Sequence, residues 1–331
     1  MMRKGPAVRR CGVVLIAVLA ASCGSSPSAP TPPSQNPPSS SSGSFTLNGR
    51  IVGTVTGVPI AGATVTVGGQ TFTTDTDGAF TLTDGTQTVR DIVVTGNGLI
   101  TRESRLSIGT RSVTIDVIQN RPPFDLAFFR IFARNGYETD GGLEPLRPLR
   151  SAPRIRIRTV DARGRPIEAA ILDLVEAALR DAAPIWSAGR FPLEVVERGT
   201  DSRRGQAGWI TIEWPNPPDL TACGRATVGT TTGYIELHHR NPDCWCGTPE
   251  LFSPMVVRHE LGHIYGYWHT NSPGDVMDAG EWPDESCDLP PSPREVEHAK
   301  FMYSRAPGNT DPDTDTLSTV LREPPTIVID N

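Results

Sequence analysis

Apolar and polar residues alternate along the chain with two different periods, and the change lies near residue 120. From residue 45 onward, β-branched residues alternate with small or polar ones, and Gly-Gly, Asp-Gly and Val-Pro pairs separate the runs. The runs cover residues 45–52, 63–67, 72–74, 79–83, 88–94 and 112–118. Short runs of period two with turn residues between them predict an antiparallel β-sandwich over residues 45–120.

From about residue 125 the pattern mixes strand-like and helical periods. Strand-like alternation covers residues 154–160, 191–196, 209–214 and 234–238. Apolar side chains recur at three- and four-residue intervals over residues 166–183, which predicts an amphipathic helix that begins near Pro166 and ends before Pro184. We therefore expect a second domain, of α+β class, over residues 125–305.

The composition is that of an ordinary folded protein with many turns. The chain has 331 residues, enough for about two domains, and its 32 Gly and 31 Pro indicate frequent turns. Its formal charge is -6, and because nucleic-acid binding depends on a basic surface, nucleic acid is excluded as the main partner. No apolar run reaches the ~20 residues that span a bilayer, so we expect no integral membrane segment.

The first 44 residues are typical of an export signal followed by a tether. Four basic residues precede an apolar stretch at 11–21 that is too short to span a bilayer, which predicts a signal peptide over residues 1–22. Leu-Ala-Ala-Ser-Cys at 19–23 resembles a bacterial lipobox, which implies lipidation of Cys23 and a lipoprotein of the cell envelope, at the outer membrane or cell surface. The alternative is plain secretion. Residues 23–44 are rich in Ser and Pro and predict an extended linker, so the lipid would be the chain's only membrane attachment.

The residues that carry chemistry are concentrated at positions 259–269. His259 and His263 are four apart, so on a helix they lie on one face and can bind one Zn²⁺ at about 2.1 Å each. Glu260 projects about 100° round the helix from His259, so it flanks the metal rather than ligating it. That position suits a general base that acts on a zinc-activated water.

His269 can be the third ligand only if the helix ends before it. On a continuous helix His269 would point about 240° away from His263, so the chain must leave the helix between them. Gly266 stands where a left-handed C-cap costs least. Three neutral His ligands leave a fourth tetrahedral position open, as in catalytic rather than structural zinc sites.

This stretch resembles the metzincin metallopeptidases, whose HExxHxxGxxH motif is followed by a methionine turn. Met277 comes eight residues after His269, a matrixin-like spacing, and the resemblance implies that it forms an apolar floor beneath the metal. The family implies a zincin-like catalytic domain and endopeptidase activity. It also implies that the strand at 233–237 forms the cleft edge. The edge residues are then Tyr234, Ile235, Glu236 and Leu237.

The rest of the chain departs from the matrixin pattern in several places. Thr270 stands where matrixins have Ser, and no Tyr follows Met277 directly. No cysteine-switch motif precedes the catalytic unit. Instead, residues 49–52, 59–65 and 74–80 resemble the carboxypeptidase regulatory-like domain, which implies that residues 45–120 act as a spacer or binding module.

Four cysteines beyond the signal region predict two disulfides. They are Cys223, Cys244, Cys246 and Cys287. Exported proteins meet oxidising conditions, and Cys244 and Cys246 are too close together to bridge each other. We therefore expect Cys223 and Cys287 each to take one of them, while a structural zinc with His238 or His239 lacks the paired CxxC spacing. Residues 306–331 are acidic and Pro-rich, and we expect a solvated tail.

The sequence thus predicts an exported endopeptidase that holds one catalytic Zn²⁺ and acts on a peptide or protein substrate. Two alternatives stay open. The first is a surface binding lipoprotein in which residues 45–120 bind the partner and the zinc unit is inert or structural. The second is a zinc hydrolase of non-peptide substrates, because the metal chemistry is the same.

Overall fold

The computed structural model describes residues 45–84, 89–107, 109–139, 142–246, 252–280, 287–315 and 326–330. The chain divides into two compact units, Met1–Ser42 and Gly43–Asn331, and the described residues all belong to the second. The predicted signal peptide, the linker and Cys23 lie outside them. No helix in the described ranges is long and apolar enough to cross a membrane.

Seven strands in two sheets form the first part of the fold. They are β1 Phe45–Gly53, β2 Thr64–Val67, β3 Gln70–Thr73, β4 Ala79–Asp84, β5 Arg90–Thr95, β6 Arg102–Leu106 and β7 Ser112–Val117. The sheet orders are β4-β1-β7 and β3-β2-β5-β6. Alternate side chains of both sheets, among them Leu47, Val65, Leu82 and Val94, are buried in one hydrophobic cluster. The period-two pattern of the sequence therefore places one face of each sheet in a shared core.

The strand directions differ from the prediction at one pair. β1 and β7 run parallel, whereas the other pairs in these two sheets are antiparallel. The prediction of an antiparallel arrangement is wrong here because β7 follows β6 of the other sheet. It therefore enters beside β1 by a crossover and not by a hairpin.

The second part combines four helices with a six-stranded sheet. Its elements are α1 Leu126–Arg134, β8 Arg154–Arg158, α2 Ala169–Trp186, β9 Val196–Gly199, β10 Trp209–Glu213, β11 Ala222–Thr227, β12 Gly233–Leu237, a 3₁₀ helix Pro242–Cys244, α3 Pro254–Ile264, α4 Pro293–Tyr303 and β13 Thr326–Asp330. The sheet order is β13-β11-β12-β10-β8-β9. β9, β8, β10 and β12 are parallel, and β11 is antiparallel to both of its neighbours.

Helices α1 and α2 differ from the sequence prediction. α2 begins at Ala169 and continues through Pro184, so the predicted stop at that proline is wrong. The last turn persists because Trp186 is fully buried and its indole N–H donates to the carbonyl of Arg258 at 2.9 Å. α1 was not predicted, although Asp125 caps its first turn with a side-chain oxygen, which is a sequence-readable start signal.

Two disulfides fix the segments around α3: one joins β11 to the 3₁₀ helix, and the other joins the segment before α3 to the segment after it. Cys223 pairs with Cys244 and Cys246 pairs with Cys287, each with the two Cα atoms 5.4 Å apart. The prediction that Cys223 and Cys287 each take one of the two close cysteines is confirmed. Among the described residues, neither His238 nor His239 belongs to a group that could hold a metal, so the alternative structural zinc gains no support.

Residues 306–315 do not form the solvated extension that their acidic composition predicted. Asp313 is 1% exposed, and both of its carboxylate oxygens accept from Arg305, at 2.7 Å each. Arg305 also donates to Asp116 and Thr54 of the two-sheet part. The acidic residues fold back because they neutralise a guanidinium that is itself buried between the two parts of the fold.

Candidate metal centre

Helix α3 carries two of the predicted ligands, His259 and His263, and it ends before the third, His269. Pro254 occupies its first turn, and its last residue is Ile264. Gly266 then adopts a φ of 102°, and a methyl group on it would lie 2.7 Å from the terminal carbon of Met302. Both the backbone angle and the tight packing require glycine at this position. The predicted end of the helix before His269 is confirmed.

The chain reversal brings three imidazole rings together in the interior. The Nε2 atoms of His259 and His263 are 3.1 Å apart, those of His263 and His269 are 3.2 Å apart, and those of His269 and His259 are 3.1 Å apart. His259 and His263 are fully buried and His269 is 3% exposed. Among the His, Cys, Asp and Glu residues that the structure describes, these three form the group whose ligand atoms lie close enough together to hold a metal ion.

The other nitrogen of each ring is held by an oxygen acceptor. Nδ1 of His259 donates to the carbonyl of Val276 at 2.6 Å, and Nδ1 of His263 donates to the carbonyl of Tyr267 at 2.8 Å. Nδ1 of His269 donates to the carboxylate of Glu138. Because a carbonyl oxygen can only accept, each of the first two rings carries its proton on Nδ1 and presents a bare lone pair at Nε2.

Three lone pairs that face one another at this distance repel, unless a cation lies between them. Nitrogen ligands about 2.1 Å from a tetrahedral metal ion are about 3.4 Å apart, close to the spacing seen here. Burial keeps the pKa of His259 and of His263 well below the ordinary value, with the neighbouring rings adding to the effect, so both stay neutral as metal ligands must. The three side chains therefore fit Zn²⁺.

Glu260 follows His259 on α3, and its carboxylate is in an unusual environment. It is fully buried, and neither carboxylate oxygen has a hydrogen-bond partner among the described residues. Burial, and secondarily the charge of Glu236, raise the pKa of Glu260 well above its ordinary value, while Arg225 lowers it. A buried carboxylate without a donor is costly, and it marks a place where a ligand or water belongs.

Gly224 on β11 makes room for that carboxylate, and sequence reasoning missed it. A methyl group at position 224 would lie 2.7 Å from both Cγ and Cδ of Glu260. Ordinary carbon contacts are about 3.5–4.0 Å, so no larger residue fits without moving the glutamate. β11 therefore packs directly against the side of α3 that carries Glu260.

Met277 packs against helix α3 at Gly262. It is fully buried, and a methyl group on Gly262 would lie 3.3 Å from its terminal carbon. The turn that carries it is fixed by Glu295, whose carboxylate accepts from the backbone N–H groups of Val276 and Met277 at 3.1 and 2.8 Å. Glu295 thus positions the carbonyl of Val276 that holds the His259 ring.

The sequence analysis did not identify Glu138 and Glu295, the two acidic residues that support the ligands, for different reasons. Glu138 lies 131 residues before His269 and has no local pattern that connects the two. Glu295 forms a capping box with Ser292 at the start of α4, a spacing of three that the sequence does display. The capping box predicts a helix start, but it does not reveal that the same carboxylate also binds the methionine turn.

The strand predicted to form the cleft edge does not lie at an edge. β12 pairs with β10 on one side and with β11 on the other. Ile235 and Leu237 are fully buried in the core, Glu236 accepts from Arg204, and the Arg204 guanidinium lies over the Tyr234 ring. The prediction for these four residues is wrong because an antiparallel strand, β11, is inserted between β12 and the metal side of the sheet.

No family model and no curated protein matches the chain. Solved structures that are similar to it in part include the following three. A protein of unknown function from Bacteroides fragilis NCTC 9343 is 19% identical with a TM-score of 0.19, and the match covers 23% of this chain and 28% of that one. A cohesin–X-dockerin complex from Acetivibrio cellulolyticus is 29% identical with a TM-score of 0.18 (22% and 51% covered). Metalloproteinase-II from Bacteroides fragilis is 11% identical with a TM-score of 0.28 (77% and 84% covered). The match to this chain covers less than two thirds of the length of the first two structures. Similarities at these TM-scores establish neither the fold nor the family of this chain.

Proposed function

We propose that this protein is a zinc-dependent endopeptidase that hydrolyses peptide bonds in protein or peptide substrates. The observation that carries the proposal is the convergence of three buried Nε2 atoms, 3.1–3.2 Å apart, two of them from the helix that also carries Glu260, whose carboxylate has no hydrogen-bond partner among the described residues. Three neutral imidazoles favour Zn²⁺ over the hard cations Ca²⁺ and Mg²⁺, which take oxygen ligands. His259, His263 and His269 would hold the ion and would leave it open to water or substrate.

When bound, Zn²⁺ lowers the pKa of a water molecule to about 7 and polarises a carbonyl oxygen. The chain's own part is to hold and move the proton. Glu260 is the group placed to accept the proton of the attacking water and to return it to the leaving amine, since its oxygens are not engaged by any described residue. Its burial excludes bulk water, which would otherwise compete for the same oxygens.

Three acceptors keep the rings in the productive tautomer. Val276, Tyr267 and Glu138 each bind the Nδ1 proton of one ring, so all three Nε2 atoms stay available to the metal. Met277 fills the space below without offering a competing charge.

The test combines metal content with cleavage of an unfolded protein by the full chain. We expect one Zn²⁺ per chain and cleavage that a chelator abolishes. Glu260→Gln keeps the size of the side chain but removes the proton acceptor, so zinc should stay and activity should fall at least ~10²-fold. Glu197→Gln on β9, at the opposite end of the sheet, is the matched control and should keep full activity. Full activity of Glu260→Gln would refute the mechanism.

We further infer that the chain is exported and attached to the bacterial cell envelope through a lipid on Cys23. The support is the sequence of residues 1–44, with its basic start, apolar stretch and lipobox-like cysteine. Acyl chains add about 0.8 kcal/mol of membrane affinity per buried methylene, so two or more anchor a folded domain firmly. Mass spectrometry of the mature N-terminal peptide should find Cys23 acylated. Cys23→Ser should release the protein from membranes, and an unmodified Cys23 would contradict the inference.

A further inference from the structure

The strand β13 occupies the side of β11 that faces away from the rest of the sheet. Thr326, Ile327 and Val328 pair antiparallel with Thr227, Ala226 and Arg225, in that order. The pairing resumes at Asp330 and Ala222 after a register shift. Among the described strands, β11 would be the edge of the sheet if β13 were absent.

This edge lies against the candidate site. Gly224 stands within the register shift, and its backbone is the part of β11 that packs on Glu260. Paired strands are about 4.8 Å apart, so the backbone of β13 near residues 328–330 lies about one strand spacing beyond Gly224. A chain seated on this edge therefore runs beside the β11 backbone that packs on Glu260.

Unpaired N–H and C=O groups at a sheet edge bind extended peptides by adding a strand. The segment Thr-Ile-Val-Ile-Asp suits that role, because four of its five residues are β-branched and its neighbours Pro324 and Pro325 cannot donate to a ladder. A peptide substrate and β13 would use the same backbone groups of β11, so the two cannot be bound there together.

We propose that the outer edge of β11 is a docking surface for an extended peptide and that Thr326–Asp330 is its intramolecular occupant, which competes with substrate. The competition rests on the proposed peptidase function, whereas the occupancy does not. A tethered segment acts at an effective concentration of the order of 1 mM, so a weak intrinsic affinity of ~0.1 mM already reduces the rate ~tenfold.

The experiment compares the full chain with two variants that remove the occupant. One variant ends at Asp315. The other is the double replacement Ile327→Pro with Val328→Pro, because neighbouring N–H groups point to opposite sides of a strand and one of them must face β11. The matched control exchanges the two side chains, Ile327→Val with Val328→Ile, and keeps every backbone donor. Equal zinc content in all four proteins shows that the rest of the fold is retained.

Two readouts separate the parts of the proposal. Initial rates with an unstructured peptide should rise ~tenfold or more in the truncated and proline variants and stay unchanged in the exchange control. Hydrogen exchange of the amides in residues 222–227 should become at least ~tenfold faster in the same two variants, because their partners are lost. A synthetic peptide of residues 324–331 should inhibit the truncated chain competitively.

Each of the remaining outcomes refutes one part of the proposal. If exchange in residues 222–227 is the same with and without the segment, the occupancy is refuted. If exchange changes but the rates of all proteins are equal, the competition is refuted. If exchange changes and no protein cleaves any peptide, the proposed function fails while the docking of residues 326–330 stands.

Discussion

Replacing Gly224 by alanine moves the proposed general base without changing its chemistry. The added methyl group would lie 2.7 Å from Cγ and Cδ of Glu260, against an ordinary separation of about 3.5–4.0 Å. The carboxylate must therefore move about 1 Å away from position 224. It cannot do so freely, because Glu260 is fully buried between α3 and β11. The backbone at 224 lies outside the left-handed region, so the substitution adds no backbone strain.

The expected effect follows from that displacement. A misplacement of about 1 Å in a reacting group costs up to ~10²-fold in rate. A factor of ~10² corresponds to about 2.7 kcal/mol in the activation barrier. We expect kcat of Gly224→Ala to fall by roughly this factor while the zinc content stays at one ion per chain, since the three atoms nearest to the added methyl group all belong to Glu260 and not to a His ligand. The assay is steady-state cleavage of a peptide together with metal analysis of the same sample.

Gly280→Ala is the matched control for this substitution. Its methyl group would meet Asp278 at 3.5 Å, an ordinary contact, and its backbone is also outside the left-handed region. This variant should keep kcat and zinc. If Gly224→Ala shows the kcat of the unaltered protein with its zinc retained, Glu260 does not act from the position that the structure gives it.

Three further predictions concern the supports of the site and of the fold. Glu138→Ala removes the acceptor of His269 Nδ1, and competition with a chelator should show zinc affinity weakened ~10–100-fold; an unchanged Kd contradicts the role. Burial raises the pKa of Glu295 to about 7 from its ordinary 4.5, so the contribution of Glu295 to the unfolding free energy should fall by up to about 3 kcal/mol as pH rises from 4.5 to 7 and be constant above. Urea unfolding at pH 5 and pH 8 should show a larger loss of unfolding free energy in the unaltered chain than in Glu295→Ala, and equal losses in the two proteins would refute it. Arg305→Ala leaves Asp313 buried without its partner, which should cost about 3–5 kcal/mol in thermal unfolding, and a loss below about 1 kcal/mol would contradict the pairing.

The features that sequence reasoning predicted correctly depend on local geometry or on simple exclusion. The spacing of His259 and His263 fixes their common helix face, and Gly266 must end that helix for His269 to meet them. These relations hold within eleven residues, where the helical period decides the outcome. Because Cys244 and Cys246 cannot bridge each other, the sequence also predicted that Cys223 and Cys287 each pair with one of them, but not which one.

The features that were missed depend on contacts between distant parts of the chain. β11 reads Ala-Cys-Gly-Arg-Ala-Thr, and its small residues lack the β-branched alternation that marks a strand. The residues are small because the strand packs closely on α3, which the sequence alone does not show. The family resemblance implied that β12 forms the cleft edge, whereas β11 pairs along its outer side. The acidic residues at 311–315 were likewise predicted to be solvated because their partner Arg305 is buried only once both parts of the fold are assembled.

The claim on which the account depends is that the three imidazoles hold one divalent ion. Zinc titration of the chelator-treated full chain, with the bound metal counted by mass spectrometry, tests it directly. The account predicts saturation at one Zn²⁺ per chain and loss of that binding in His263→Ala, because two ligands remain of three. Absence of zinc binding in the unaltered chain, or equal binding in His263→Ala, would contradict it.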